Sequence, residues 1–114
     1  MKLLEIVQIV ITVATIATGA VSLFRPESIR GFTGLVAEGS RGITEIRAIM
    51  GGVFIGLGVA PLILGAPEAY RTLGITYLMI AVIRAVSMIV DRSVVSSNNV
   101  SLVVEILFGS VLML

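Results

Sequence analysis

A chain of 114 residues supports one domain at most. Hydrophobic residues make up 57% of it and charged residues only 13%, about half the ~25% charged share usual in soluble domains, so the natural solvent for this composition is lipid. The absence of Cys and His excludes disulfides, thiolate nucleophiles, zinc–thiolate sites and the commonest metal ligand and general base, and no metal or cofactor is expected. A net charge of +1 argues against nucleic acid as a partner.

The first apolar run covers Ile6 to Phe24, about 19 residues spanning roughly 28 Å, close to the hydrocarbon thickness of a bilayer. A signal peptide would have a shorter apolar core and a small-x-small cleavage site. Arg25-Pro26-Glu27 follows instead, so a retained helix is expected over about residues 5–24. Its polar and small residues, Glu5, Gln8, Thr12, Thr15, Gly19 and Ser22, recur alternately every three and four positions. They form one stripe along one helix face. In lipid such a stripe turns toward neighbouring helices, for packing and hydrogen bonding or, alternatively, to line a wet cavity.

Residues 25–43 contain Gly31, Gly34, Gly39 and Gly42 and cannot form one continuous helix. Pro26 stands at a plausible first helical position, and Ile29, Phe32 and Leu35 or Val36 would share one face, predicting a short helix in the membrane interface; an ordinary loop is the alternative. The second span is expected over about 44–64, ending near Pro61, Gly65 and Pro67. The third is expected over about 70–90. The fourth apolar run, Val100 to Leu114, is short for a crossing, so its helix is placed over about 98–114 and would gain from a start nearer Ser96.

The expected fold is therefore all-α. It is an integral membrane four-helix bundle of antiparallel up-down topology, with a short interfacial helix after the first span and a single domain over residues 1–114. Lys2 and Arg71 fall on one side of the membrane, and Arg25, Arg30, Arg41 and Arg92 on the other. That asymmetry leans toward both termini outside and the long first connection in the cytoplasm.

The third span repeats the stripe, with Tyr70, Gly74, Tyr77, Ala81, Arg84, Met88 and Asp91 again three and four apart. Arg84 lies seven residues before Asp91, hence about 10 Å inside the helix end. An unpaired Arg at that depth costs at least ~2.5 kcal/mol, so a partner is expected. Glu105 lies six residues after Asn99 on the antiparallel neighbour, about 9 Å in from the same side, and Arg84 is expected to pair with it, with Glu45, or with both. Glu45, Arg47, Arg84, Asp91 and Glu105 all collect at the end of the bundle nearest the long connection. Glu45 and Arg47 stand about 200° apart on an α-helix, and Arg47 can snorkel to the headgroups. Gly51, Gly52, Gly56 and Gly58 remove side-chain volume from the second span, and Gly52–Gly56 is a small-xxx-small match that favours close helix packing and, with it, a homo-oligomer. The polar cluster, with Tyr77 beside it, reads either as a buried network fixing helix register or as a pocket or ion path.

Glu45-Ile46-Arg47-Ala48, followed by Gly51-Gly52, Gly56 and Gly58, with Arg84 and Glu105 in the later spans, resembles the small four-helix bacterial membrane proteins grouped as domain of unknown function 4345. Met50 departs from that pattern, where an aromatic is expected before the glycine pair. The resemblance covers most of the chain and implies a fold and an inner-membrane location, not an activity. Small multidrug transporters share the length and helix count. Their essential glutamate lies well inside the first helix, however, whereas Glu5 is at its edge, and their tryptophan has no counterpart here.

Two functions are expected from these residues. The first is a non-enzymatic binding or accessory protein, its polar pocket in one leaflet holding an amphipathic small molecule, a membrane lipid or a partner. Arg84 there would offer a forked donor suited to carboxylate or phosphate, and Ala81 would leave room beside it. The alternative is an oligomeric transporter or ion or proton channel using Glu45 or Glu105. No metal motif or nucleophile elbow points to an enzyme.

Overall fold

The computed structural model describes residues 1–114. It is an all-α helical bundle. Helix α1 (Leu3–Phe24) is followed by a 3₁₀ turn (Pro26–Ile29) and a short α2 (Arg30–Thr33). Three long helices follow: α3 (Gly39–Leu64), α4 (Pro67–Val90) and α5 (Ser96–Met113). Helices α1, α3, α4 and α5 are long and apolar enough to cross a membrane. Ile63, Val82, Ile89, Val90 and Leu107 point outward with more than half their surface exposed. Water would make that surface an aggregation liability; lipid makes it the ordinary exterior of a membrane protein.

All four spans begin earlier than expected, α1 at Leu3 and α4 at Pro67 by two and three residues. Helix α3 begins at Gly39, five residues before the expected start, although Gly39 and Gly42 are poor helix formers. The Arg41–Glu45 ion pair, one turn apart, supports that early segment. The helix also runs through Pro61 and stops at Gly65, which takes the left-handed conformation at φ 63° and returns its N–H to the Pro61 carbonyl. Helix α5 starts at Ser96 and gains the length that the apolar run alone lacked.

The short interfacial segment is helical, but it ends sooner than its apolar spacing suggests. Pro26 occupies the first turn and Ile29 is buried. Gly34 then turns left-handed at φ 75° and caps α2 on the Arg30 carbonyl. Leu35 and Val36 consequently lie beyond the helix, exposed, and do not continue a face with Ile29 and Phe32.

The chain divides into two compact units, residues 9–65 and residues 1–8 with 66–114. In the first, α1 and α3 run antiparallel along a glycine seam. A Cβ added at Gly58 would lie 2.9 Å from the Thr12 carbonyl oxygen, and one added at Gly19 only 2.7 Å from that of Gly51. Leu23 closes on Gly51 in the same way. Backbones approach this closely only because the side chains are missing. Gly52 and Gly56 take no part, since a Cβ at either would meet nothing within 4 Å. Of the four glycines expected to serve packing, Gly51 and Gly58 do so within the chain.

In the second unit α4 and α5 form an antiparallel hairpin. Gly74 and Gly109 face each other, a Cβ on Gly109 falling 3.0 Å from the Gly74 carbonyl oxygen. One turn along, Tyr77 meets Phe108 edge to face at a ring separation of 5.5 Å. Leu73, Gly74, Tyr77, Ala81 and Met88 are buried on the α4 side, with Glu105, Gly109 and Leu112 on the α5 side. The α4 stripe thus lies inside, as its spacing predicts.

Candidate functional site

The first-span stripe is also inward. Thr12, Thr15, Gly19 and Ser22 are buried, whereas Glu5 at the helix edge is exposed. The hydroxyls of Thr12, Thr15 and Ser22 donate to carbonyls of their own helix, at Ile9, Ile11 and Thr18. Gln8 reaches across to donate to the Val111 carbonyl at 3.0 Å. The donors of this stripe are therefore satisfied within the protein.

The charges on the α4–α5 hairpin are tightly organised. The Arg84 side chain donates from Nε to both carboxylate oxygens of Glu105, at 2.8 and 3.0 Å, and from Nη2 to Glu105 Oε2 at 2.8 Å. Its Nη1 donates to Asn98 Oδ1 at 2.9 Å. The Asn98 amide in turn donates to the Ser93 carbonyl at 2.9 Å, tying this network to the connection between the helices. That connection is itself strained. Arg92 sits at φ 51° without being glycine, and the Ser93 N–H returns to the Met88 carbonyl to close the end of α4.

Antiparallel pairing across a short turn is what brings Arg84 and Glu105 to one depth, as the sequence argument requires. Glu105 is the more enclosed partner, its side chain 10% exposed against 31% for Arg84. Asn98 was not singled out in the sequence. Its signal was present, because it lies seven residues before Glu105 and so shares its helix face. Phe108 and Gly109 were missed because their roles exist only opposite Tyr77 and Gly74.

The other expected site residues stand outside this ion pair. Glu45 pairs with Arg41, a residue not proposed as a partner, and both are exposed. Arg47 and Asp91 have no ion-pair partner. Tyr77 is buried against Phe108 and does not line the opening beside Arg84. The ion pairs are thus Arg84–Glu105, extended by Asn98, and an exposed Arg41–Glu45 pair, with Arg47 and Asp91 in neither. Long-range pairing selects among carboxylates that sequence spacing cannot rank.

Beside Arg84 a groove of about 370 Å³ opens on the hairpin, lined by Ile80, Ile83, Arg84, Ser87, Met88, Asp91, Ser93 and Asn98. It lies on the Ser87 side of Arg84. The Ala81 side, where room was expected, is packed and buried. The Arg84 fork is occupied by Glu105, so Arg84 is not free to clamp a carboxylate or phosphate. The open charge in the groove is the carboxylate of Asp91.

The fold and site define a small all-α membrane protein with a partly buried ion pair in its last helical hairpin. More particularly, the chain belongs to the family described as domain of unknown function DUF4345, whose model matches residues 3–114. No curated protein and no solved structure matches it.

Proposed function

We propose that this chain is a non-enzymatic binding protein of the bacterial inner membrane, holding an amphipathic molecule in the groove beside Arg84. The observation that carries the reading is the groove's division. Ile80, Ile83 and Met88 offer an apolar wall, and Ser87, Asp91, Ser93 and Asn98 a polar one. Its volume falls within the ~300–1,000 Å³ of ligand pockets. Because Glu105 neutralises Arg84, the unpaired Asp91 sets the sign. The fitting head group carries hydroxyl or ammonium donors, and the tail lies along the isoleucines. A membrane lipid or a small amphipathic molecule meets that description.

The positive residues of the connections support an orientation with both termini outside. The bare Gly52 and Gly56 support a second copy packing on α3. A transporter or channel using Glu45 or Glu105 has less behind it, since each of those carboxylates is held by an arginine.

Native mass spectrometry of wild type, Asp91→Asn and the pair Arg84→Met with Glu105→Leu tests the reading. Bound lipid or small molecule should be retained on wild type and on the double variant, which keeps Asp91, and lost from Asp91→Asn while helicity persists. Identical bound species in all three, or none in any, would defeat it.

A further inference from the structure

A second polar space lies in the other unit, where the α1–α3 seam ends. Gly58 packs by Thr12 and Ile16, and Gly51 by Gly19 and Leu23. One turn further along α3 stands Arg47, beyond the end of α1 at Phe24. There the close approach gives way to a cavity of about 330 Å³ lined by Phe24, Arg25, Glu27, Ser28 and Arg47, with Pro26 and Ile43.

Three features set this space apart. Two arginines line it, and neither has an ion-pair partner, although Glu27 lines the same cavity. Arg25 directly follows a 22-residue apolar helix, so it stands at the depth of the membrane headgroups. Ser28 donates both its N–H and its hydroxyl to the Arg25 carbonyl, folding the 25–28 turn tightly around that side of the cavity.

Arg47 is also held in an unusual backbone. Ile46–Gly51 forms a wide π-helical stretch, a form rare in proteins and frequent at functional sites. The Gly52 N–H reaches the carbonyls of Arg47, Ala48 and Ile49 at once. The stretch separates the exposed Arg47 from the seam contacts that begin at Gly51.

We infer that Arg25 and Arg47 form a binding site for a phosphate group. Paired arginines match phosphate oxygens with forked, charge-assisted hydrogen bonds. At headgroup depth an anion also relieves two unpaired cations in a setting of reduced dielectric. Glu27 weakens the site without cancelling it, the three charges summing to +1. The phosphate can belong to an anionic lipid headgroup or to a free phosphate ion. This site is independent of the groove beside Arg84 and stands or falls separately from it.

The test uses the full chain in uncharged detergent micelles, with short-chain phosphatidylglycerol and inorganic phosphate as separate probes in calorimetric titration. Arg25→Gln and Arg47→Gln should each weaken binding about tenfold or more, the loss of a charge-assisted bond. Glu27→Gln should strengthen it severalfold. Arg30→Gln, which removes a nearby exposed arginine outside the cavity, should leave it within about twofold. Arg47→Lys keeps the charge and loses the fork, so it reads the site even if Arg47→Gln proves unstable; it should bind more weakly than wild type. Binding of phosphatidylglycerol that inorganic phosphate does not displace identifies a lipid site. Displacement, with the same dependence on Arg25 and Arg47, identifies a free-anion site. If neither probe binds, or if Arg30→Gln weakens binding as much as Arg47→Gln, the inference is overturned.

Discussion

Replacing Arg84 by Met, Glu105 by Leu, and both together forms a cycle whose magnitudes follow from the burial of each partner. Arg84→Met leaves the Glu105 carboxylate, 10% exposed, without the three short hydrogen bonds that now neutralise it. Stranding a buried charge costs about 3–5 kcal/mol. Glu105→Leu strands a guanidinium that is already 31% exposed and keeps its bond to Asn98, so the expected cost is smaller, about 1–3 kcal/mol. The double variant removes both charges and inserts apolar groups of similar bulk, and it should return to within about 1 kcal/mol of wild type. The coupling between the two changes should therefore exceed about 2 kcal/mol. Reversible unfolding of the four proteins in mixed micelles measures each term. Additive losses, with coupling below about 0.5 kcal/mol, would refute the claim that these two charges answer each other. A larger loss for Glu105→Leu than for Arg84→Met would refute the burial argument that orders them.

The two classes of glycine should separate cleanly in stability measurements. Gly19→Ala sets a Cβ 2.7 and 2.8 Å from the backbone of Gly51 and Ile55 and should cost about 1–3 kcal/mol. Gly56→Ala meets open space within one chain and should gain about 0.5–1 kcal/mol from helix propensity in the monomer, while weakening self-association through the α3 face. Asn98→Ala deletes both its bond to Arg84 and its bond to Ser93. It should cost about 1–2 kcal/mol and accelerate amide exchange between Asp91 and Val95 without altering α1. Cysteines placed singly from Ile75 to Val86 should resist labelling by aqueous maleimide in intact membranes, while Ser93→Cys should react. Ready labelling throughout Ile75–Val86 would remove α4 from the membrane.

Composition and periodicity were enough to determine the helical class, the number of long helices and the faces that turn inward. In lipid, apolar surface carries no penalty, so polar and small residues become the informative ones. Their regular spacing in α1 and α4 marks a face directly, and the buried Thr12, Thr15, Tyr77 and Ala81 follow from it. The Arg84–Glu105 pair was legible for a related reason: two lone charges at equal depth on helices joined by a short turn leave few alternatives. Sequence spacing could not decide which of several carboxylates each arginine takes, or which side of Arg84 stays open. Glu45 turned to Arg41 on its own helix, and Asn98 entered the network from the first turn of α5, after a connection that a left-handed Arg92 shapes. The division of labour among the glycines, and the π-helical stretch that carries Arg47, were likewise settled in tertiary structure. Spacing marks the inward face of a helix, but only the approach of a neighbour, at distances that a single Cβ would prevent, decides which glycines close on backbone and which stay open.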